Sequence, residues 1–427
     1  MRVIADLHIH SRYSRATSEK MSVEEIARFA KIKGLNLVGT GDFTHPKWLE
    51  ELRDVLIPKA DTGLYKVSKI SESPILFMIT TEVSTIFNFE NGTKKIHHVI
   101  LAPSIEIAQQ INDRLTKYGD LAADGRPTLN MSAPHLVEEI MEVSKSNMVF
   151  PAHAWTPWFS IFGAFSGFDS VEDCYQDMTK HIHALETGLS SDPPMNWRLS
   201  KLDRFALVSN SDSHSCWPWR IGREANVFEL NPLSYFEVVD AIRSKDSERF
   251  KFTIETDPAY GKYHWTGHRN CHVSLSPQEA IKFGNICPVC RRGLTKGVEQ
   301  RVEELADRPP DFKPEKAISF MRLLPLSEII ASVLGADSPS TQKVWSIYNG
   351  LVEKFDNEYS VLINASKETL SAVVDDKVAE AIVRVREGDV KVEPGYDGVY
   401  GRLVFFDDSS GKAESRRVQQ MNLTSFM

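Results

Sequence analysis

The sequence predicts an α/β protein: a barrel of mostly parallel strands at the front, then a small zinc-binding module and a helical C-terminal unit. Three observations carry this. Apolar strand-like runs alternate with helical patterns up to about Phe252, three of the five cysteines cluster between Cys271 and Cys290, and strand signals fade after the proline-rich "ELADRPPDFKP". A chain of 427 residues, 42% hydrophobic and 25% charged, is too long for one core and divides as 1–257, 258–309, 310–390 and 391–427.

The front unit offers seven strand candidates: "RVIADLHIH", "LNLVGTGDF", "ILFMITTEVS", "IHHVILAPS", "NMVFPAHAW", "HIHALETGL" and "FALVSNSDSH". Helical stretches such as "SVEEIARFAKIKG" lie between several of them, the first with a capping box, Ser22 and Glu25, and a stop at Gly34. Acids and imidazoles gather where the apolar runs end: His8, His10, Asp42, Glu82, His97 or His98, His153, Asp212 and His214. In a parallel α/β barrel the strand ends share one face, so residues far apart in sequence converge there. H-x-H puts both rings of His8 and His10 on the same side of a strand. A second H-x-H, His181 and His183, sits early in its strand and is read as rim or core. Mixed imidazole and carboxylate donors suit Zn²⁺, Mn²⁺ or Fe²⁺ rather than Mg²⁺ alone. Two such ions generate hydroxide near neutral pH and stabilise an in-line displacement at phosphorus, with Asp212, His10 and Glu82 as the catalytic core.

This combination of H-x-H, a downstream Asp, a Glu, a strand His, "PAHA" and "SDSH" resembles the polymerase-and-histidinol-phosphatase (PHP) family of metal-dependent phosphoesterases over the first ~250 residues. The resemblance implies a distorted (β/α)7 barrel with two or three divalent metals, Zn²⁺, Mn²⁺ or Mg²⁺. It casts His8, His10, Glu82, one of His97 and His98, His153, Asp212 and His214 as ligands. Of the adjacent pair, His98 is taken. The family's Thr-Asp-His is replaced by "TGDFTH", where Asp42 is taken as ligand and His45 stands behind it.

Beyond the barrel, His268-x-x-Cys271 and Cys287-x-x-Cys290 have the knuckle spacing of one structural Zn²⁺ site, with His264 and His272 as competitors for the fourth position. Between Lys262 and Arg301 seven Lys or Arg face two acids, a local +5 in a chain of net −8. Arg291 and Arg292 are therefore candidate contacts to a phosphate backbone. Trp155, Trp158, Phe159, Trp217 and Trp219, in the loops after His153 and His214, are candidates to stack on bases. Helices are expected through "AISFMRLLPLSEIIASVLG", broken or kinked at Pro325, then "STQKVWSIYNGLVEKF" and "KETLSAVVDDKVAEAIVRVREG". The last is similar to a helix-hairpin-helix DNA-backbone module without its glycine-rich hairpin. A small β-hairpin is expected around Asp397-Gly398.

With "GKYHWTGHRNC", "CPVC", "RVEELADRPP" and "PGYDGVYG" the chain resembles the endonuclease Q family over nearly its whole length. That resemblance implies a metal-dependent DNA repair endonuclease nicking 5′ to uracil, hypoxanthine, xanthine and abasic sites. A histidinol-phosphate-type phosphatase would share the barrel ligands but have no use for the zinc module. A non-catalytic DNA-binding protein would tolerate a decayed ligand set. At the C-terminus Gln420, Leu423, Phe426 and Met427 follow a polar stretch in the pattern Q-x-x-L-x-x-F-M, similar to the peptide by which repair proteins bind the DNA sliding clamp. No apolar run suits a membrane span or a signal peptide, which points to a cytoplasmic protein, taken as monomeric, with damaged DNA and the clamp as partners.

Overall fold

A computed structural model describes residues 1–68, 74–90 and 92–405. It is a mixed α/β protein built on a central mixed sheet. All seven expected strands form: β1 (Arg2–Asp6), β2 (Leu37–Gly39), β3 (Leu76–Phe89), β4 (Gly92–Ala102), β5 (Met148–Pro151), β6 (Ala184–Glu186) and β7 (Ala206–Val208). β1 pairs with β2 and β2 with β3 in parallel, and β6 pairs with β7 in parallel. Single bridges, Val149 to Ile182 and Ile9 to Ser213, join the start of β6 to β5 and the end of β7 to that of β1. The strands therefore curve around one interior, filled by Val3, Ala5, Leu7, Leu37, Met78, Val99, Phe150, Ala184 and Val208.

Strict strand–helix alternation fails at β3 and β4, which form a long antiparallel ladder from Ile79↔Ala102 to Phe89↔Gly92. Only Glu90 and Asn91 separate the two strands in sequence, too few residues for a crossover helix, and both strands are rich in β-branched and aromatic residues. β4 is also antiparallel to β5. As a consequence Glu82 lies within its strand rather than after it.

Outside the ring, β8 (Ala225–Glu229) runs antiparallel to β1, β9 (Phe250–Glu255) antiparallel to β8, and β10 (Ser319–Arg322) parallel to β9. β10 corrects the expected helix through "AISFMRLLP". Phe320 and Met321 pair with β9, and Pro325 stands at the N-cap of the helix Leu326–Leu334, where its missing N–H and fixed φ suit a helix entry. The helix Val23–Lys33 starts at the expected cap, with Ser22 Oγ accepting from the Glu25 N–H, but the Ser22 N–H donates to the Lys20 carbonyl and the Glu25 carboxylate accepts from Arg28, so the capping box is half formed; the helix ends on Gly34 at φ 96°.

The helices Leu326–Leu334, Gln342–Phe355 and Asp376–Glu387 form the C-terminal unit, which docks on the front unit through buried polar groups. Lys33 Nζ donates to Glu358 Oε1 (2.7 Å) and to the Pro218 carbonyl (2.9 Å), while Glu358 also accepts from Tyr348 OH and the Leu326 N–H. The Tyr359 hydroxyl donates to the Gly222 carbonyl, and Trp345 packs on the parallel pair Trp217 and Trp219. Between the units, strands Thr266–His268 and Val273–Leu275 and the helix Pro277–Lys282 surround a small core of Val273, Cys287 and Leu294. A two-stranded hairpin, Lys391–Glu393 with Arg402–Val404, encloses Asp397 and Gly398. No helix among the described residues is long and apolar enough to cross a membrane.

Candidate metal centre and zinc module

Chain reversals at the strand ends are tight enough to force left-handed backbone on three non-glycine residues: Asp42 (φ 49°), His153 (φ 28°) and Asp212 (φ 47°). Such conformations are disfavoured for side chains with a Cβ and cluster where function constrains them. His153 reaches Glu82, and Asp212 reaches His10 beside it.

Each oxygen of the buried Glu82 carboxylate serves a different group. Oε2 lies 3.1 Å from His10 Nε2 and 3.5 Å from His8 Nε2, and His10 Nε2 is 3.1 Å from Asp212 Oδ1. Oε1 lies 2.8 Å from His97 Nδ1 and 3.0 Å from His153 Nε2. Donor atoms of His8, His10, Glu82 and Asp212 all fall within 4.8 Å of one another, as do those of Glu82, His97 and His153, so Glu82 joins two metal-capable groups.

Behind the donors stand groups that aim them. Glu186 accepts from His8 Nδ1 at 3.0 Å, from the His153 N–H and from Asn210 Nδ2, both at 2.8 Å. Asp42 takes His10 Nδ1 at 2.9 Å and the Ser11 N–H and hydroxyl. With Nδ1 held by a carboxylate, each imidazole presents Nε2 to the centre. His8 Nε2 is buried and has no hydrogen-bond partner among the described residues. Burial alone would lower the pKa of His8 and His10; the charges of Glu186 and Glu82 on one, and of Asp42 on the other, raise both well above the usual histidine range. Burial would raise Glu82 and Asp212, yet the facing imidazoles, with Arg126 in the case of Glu82, hold both carboxylates well below theirs. Such a site is built around positive charge, and its donor set fits divalent ions.

In the segment between the units His268, Cys271, Cys287 and Cys290 bring one donor atom each within 4.8 Å of the others, a third metal-capable group, with His268 Nδ1 3.3 Å from Cys290 Sγ. Burial would raise the Cys287 thiol, but the Cys290 N–H, His268 and the Val289 N–H pull it down to about 6, favouring the thiolate that binds metal. His264 faces Glu299 instead, at 3.4 Å.

The crystal structure of the lesion-specific endonuclease PfuEndoQ from Pyrococcus furiosus superposes with a TM-score of 0.84 and 35% identity, over 94% of this chain and 95% of that one. The chain belongs to the endonuclease Q family. A second endonuclease Q structure, in complex with a 27-mer duplex carrying an abasic lesion at the active site, matches with a TM-score of 0.84 and 34% identity over 96% of this chain and 98% of that one. YqxK of Bacillus subtilis, an uncharacterised protein, is 26% identical over 94% of this chain and 99% of its own length. MJ0043 of Methanocaldococcus jannaschii, also uncharacterised, is 35% identical over 59% of this chain, and the match spans 31% of that protein. The family model for the MJ0043 C-terminal domain matches residues 325–389, the helical unit.

Within this endonuclease Q fold several expected residues take other places. His97, not His98, joins the cluster. Val99 lies opposite Glu82 in the ladder, so alternation puts His97 on the Glu82 face and His98 on the other, where Thr85 Oγ1 and Tyr175 OH hold it at 2.8 Å each. Asp42 lies behind His10 rather than in the donor set, because its carboxylate is taken up by His10 and Ser11. His45 stacks on Tyr13. His214 lies outside both groups, its ring 4.3 Å from that of His10 and its Nδ1 3.0 Å from the Asp212 carbonyl oxygen.

The aromatics divide in the same way. Trp155 is buried and its indole donates to Asn196, which removes it from the candidates for base stacking. Trp217 and Trp219 are engaged by Trp345. Trp158 (41% exposed) remains on the surface, stacked on Phe165 (50% exposed). Phe159 covers His97 at 4.9 Å. Arg291 and Arg292 are exposed, next to Cys290 in sequence. Gln420, Leu423, Phe426 and Met427 lie outside the described residues. Sequence reasoning missed Glu186 and Arg126. Glu186 carried a signal, an acid closing the strand "ALE"; Arg126, in a loop, carried none.

Proposed function

We propose that this protein is a metal-dependent DNA repair endonuclease that cuts the phosphodiester 5′ to deaminated bases (uracil, hypoxanthine, xanthine) and to abasic sites. The observation that carries the reading is the Glu82-centred pair of metal-capable groups in a chain of the endonuclease Q family. The seven curved strands are read as a distorted PHP-type barrel, with His8, His10, Glu82 and Asp212 holding one divalent ion and Glu82, His97 and His153 a second. Bound there, such ions supply hydroxide near neutral pH and stabilise the attacking and leaving oxygens at phosphorus.

The chain's own residues do the rest. Glu186 and Asp42 fix the tautomers of His8 and His10, so neither ring must reorient during the reaction. Trp158 and Phe165 offer an exposed aromatic face beside the His153 loop for an unstacked base. His268, Cys271, Cys287 and Cys290 hold a structural Zn²⁺, and Arg291 and Arg292 contact the phosphate backbone. The polar C-terminal stretch ends in a sliding-clamp peptide, and the enzyme works in the cytoplasm.

Labelled duplexes containing uracil, hypoxanthine, xanthine or an abasic site, incubated with purified protein and Mn²⁺, Mg²⁺ or Zn²⁺, test this directly. Nicks are expected on the 5′ side of each lesion, abolished by chelation and by Asp212→Asn, with DNA binding kept in the variant. Intact damaged duplexes beside turnover of a chromogenic phosphomonoester would overturn the reading in favour of a small-molecule phosphatase.

A further inference from the structure

Arg126 Nη1 lies 3.0 Å from Glu82 Oε2, against the carboxylate that joins the two halves of the centre. Among the described residues it is the one Lys or Arg side chain paired with Glu82 or Asp212, and the guanidinium makes no second hydrogen bond there. Its position is locked from both sides. The Arg126 N–H donates to Asp124 Oδ1, which also takes Ser14 Oγ and the Arg15 N–H. The Gly125 N–H donates to the Tyr13 carbonyl, and the Gly125 carbonyl accepts from Thr44 Oγ1. A Cβ on Gly125 would come within 2.4 Å of Asp42 Oδ2, so only glycine lets this loop pass so close behind His10. On the far side the Ser84 N–H donates to the Pro127 carbonyl.

The centre has no need of this cation for itself. Glu82 already faces His8, His10, His97 and His153, and divalent ions held by two carboxylates and neutral imidazoles leave a surplus of positive charge that a permanent guanidinium makes worse. A rigid cation beside such a centre is explained by an anion that binds to both. With 27% of its side chain exposed and N–H donors free of other described partners, Arg126 has the planar fork that suits phosphate oxygens.

We propose that Arg126 is a catalytic residue that binds a non-bridging oxygen of the scissile phosphate while keeping one N–H on Glu82. The proposal rests on the endonuclease reading and deepens it. Hydrolysis adds one water across the P–O bond: the water oxygen bonds to phosphorus, the P–O bond to the leaving sugar oxygen breaks, and that oxygen takes up a proton. Arg126 gains and loses no proton. It opposes the charge that gathers on the non-bridging oxygens in the transition state.

Arg126→Ala and Arg126→Lys separate this role from a structural one. Three quantities are compared with wild type: metal content, affinity for abasic duplex in the presence of chelator, and single-turnover nicking rate. The alanine variant is expected to keep metal content and DNA affinity within about twofold and to lose about 100-fold in rate, the usual scale for one such donor. Added guanidinium should restore part of the rate, and the lysine variant should fall between. Calorimetry with inorganic phosphate on the metal-loaded proteins should show about tenfold weaker binding to Arg126→Ala. A rate loss that tracks lost metal, or phosphate binding equal to wild type, overturns the proposal. If the wild-type protein nicks no damaged duplex, the endonuclease reading falls while the phosphate titration still decides whether Arg126 forms an oxyanion site.

Discussion

Glu186→Gln is the smallest change that isolates the charge behind the metal centre. Three donors converge on this buried carboxylate: His8 Nδ1, the His153 N–H and Asn210 Nδ2. A carboxylate accepts all three, whereas an amide has one acceptor oxygen and turns its NH₂ against a neighbouring donor in either orientation. Asn210 cannot flip to compensate, because its Oδ1 already accepts the Leu7 N–H at 2.8 Å and Asn226 Nδ2 at 2.9 Å. One buried donor left unmet costs about 1–3 kcal/mol. The larger effect falls on metal binding. His8 loses the anion that holds its Nδ1–H and aims Nε2 at the centre, and loss of such a partner typically weakens metal affinity about 10- to 100-fold, or about 1.4–2.7 kcal/mol. The assay is nicking rate against free metal, set with a competing chelator. The midpoint should shift to higher metal by that factor while the plateau at saturation approaches wild type. An unshifted midpoint would refute the idea that Glu186 prepares His8 for a cation.

Cys287→Ser should lose its bound zinc by elemental analysis and bind duplex more weakly, since a short segment with so small a core depends on its metal for folding; unchanged zinc and affinity would count against the site. Phe426→Ala, or deletion of residues 420–427, should leave nicking of free oligonucleotides intact and weaken binding to purified sliding clamp by about 2 kcal/mol or more in calorimetry; equal affinity would refute the motif. Burial pushes the Glu224 carboxyl up from 4.5 to about 8 against the Thr256 N–H and the Arg223 charge. A raised folded-state pKa gives stability that is complete below the unfolded value and lost as pH rises through the folded one. In chelator the protein should therefore melt lower at pH 9 than at pH 6, and Glu224→Gln should reduce that difference; identical pH profiles would show that Glu224 does not titrate in this window.

The parts of the site that were legible in the sequence are those where strand periodicity ends in chemistry. His8, His10, His153 and Asp212 follow short apolar runs that could only be buried strands, and four donors with knuckle spacing around Cys287 needed only a local turn to converge. The choice between His97 and His98 depended on the register of β3 against β4, which adjacent residues of one type cannot reveal. Asp42 was misplaced because a carboxylate that binds a metal and one that orients its histidine look alike in one dimension. Trp155 looked like an exposed loop aromatic until the loop folded back, with the Phe162 N–H donating to the Ala154 carbonyl and the indole reaching Asn196. Arg126 reaches Glu82 only because Gly125 threads behind His10, a close approach that no pattern announces.

The docking of the helical unit has a consequence for how the molecule can be taken apart. The stretch that carries Asp212 and His214 also carries Trp217, Pro218, Trp219 and Gly222, and Trp345, Tyr359 and the Lys33–Glu358 pair hold it from the other side. Cutting the chain after the front unit would bare two stacked indoles and strand a buried ammonium, and breaking a buried ion pair alone costs about 3–5 kcal/mol. Front unit and helices should accordingly unfold in a single cooperative transition, and the front unit should not persist as a folded piece on its own. In this chain the stretch that carries Asp212 belongs as much to residues 325–389 as to the strand that precedes it.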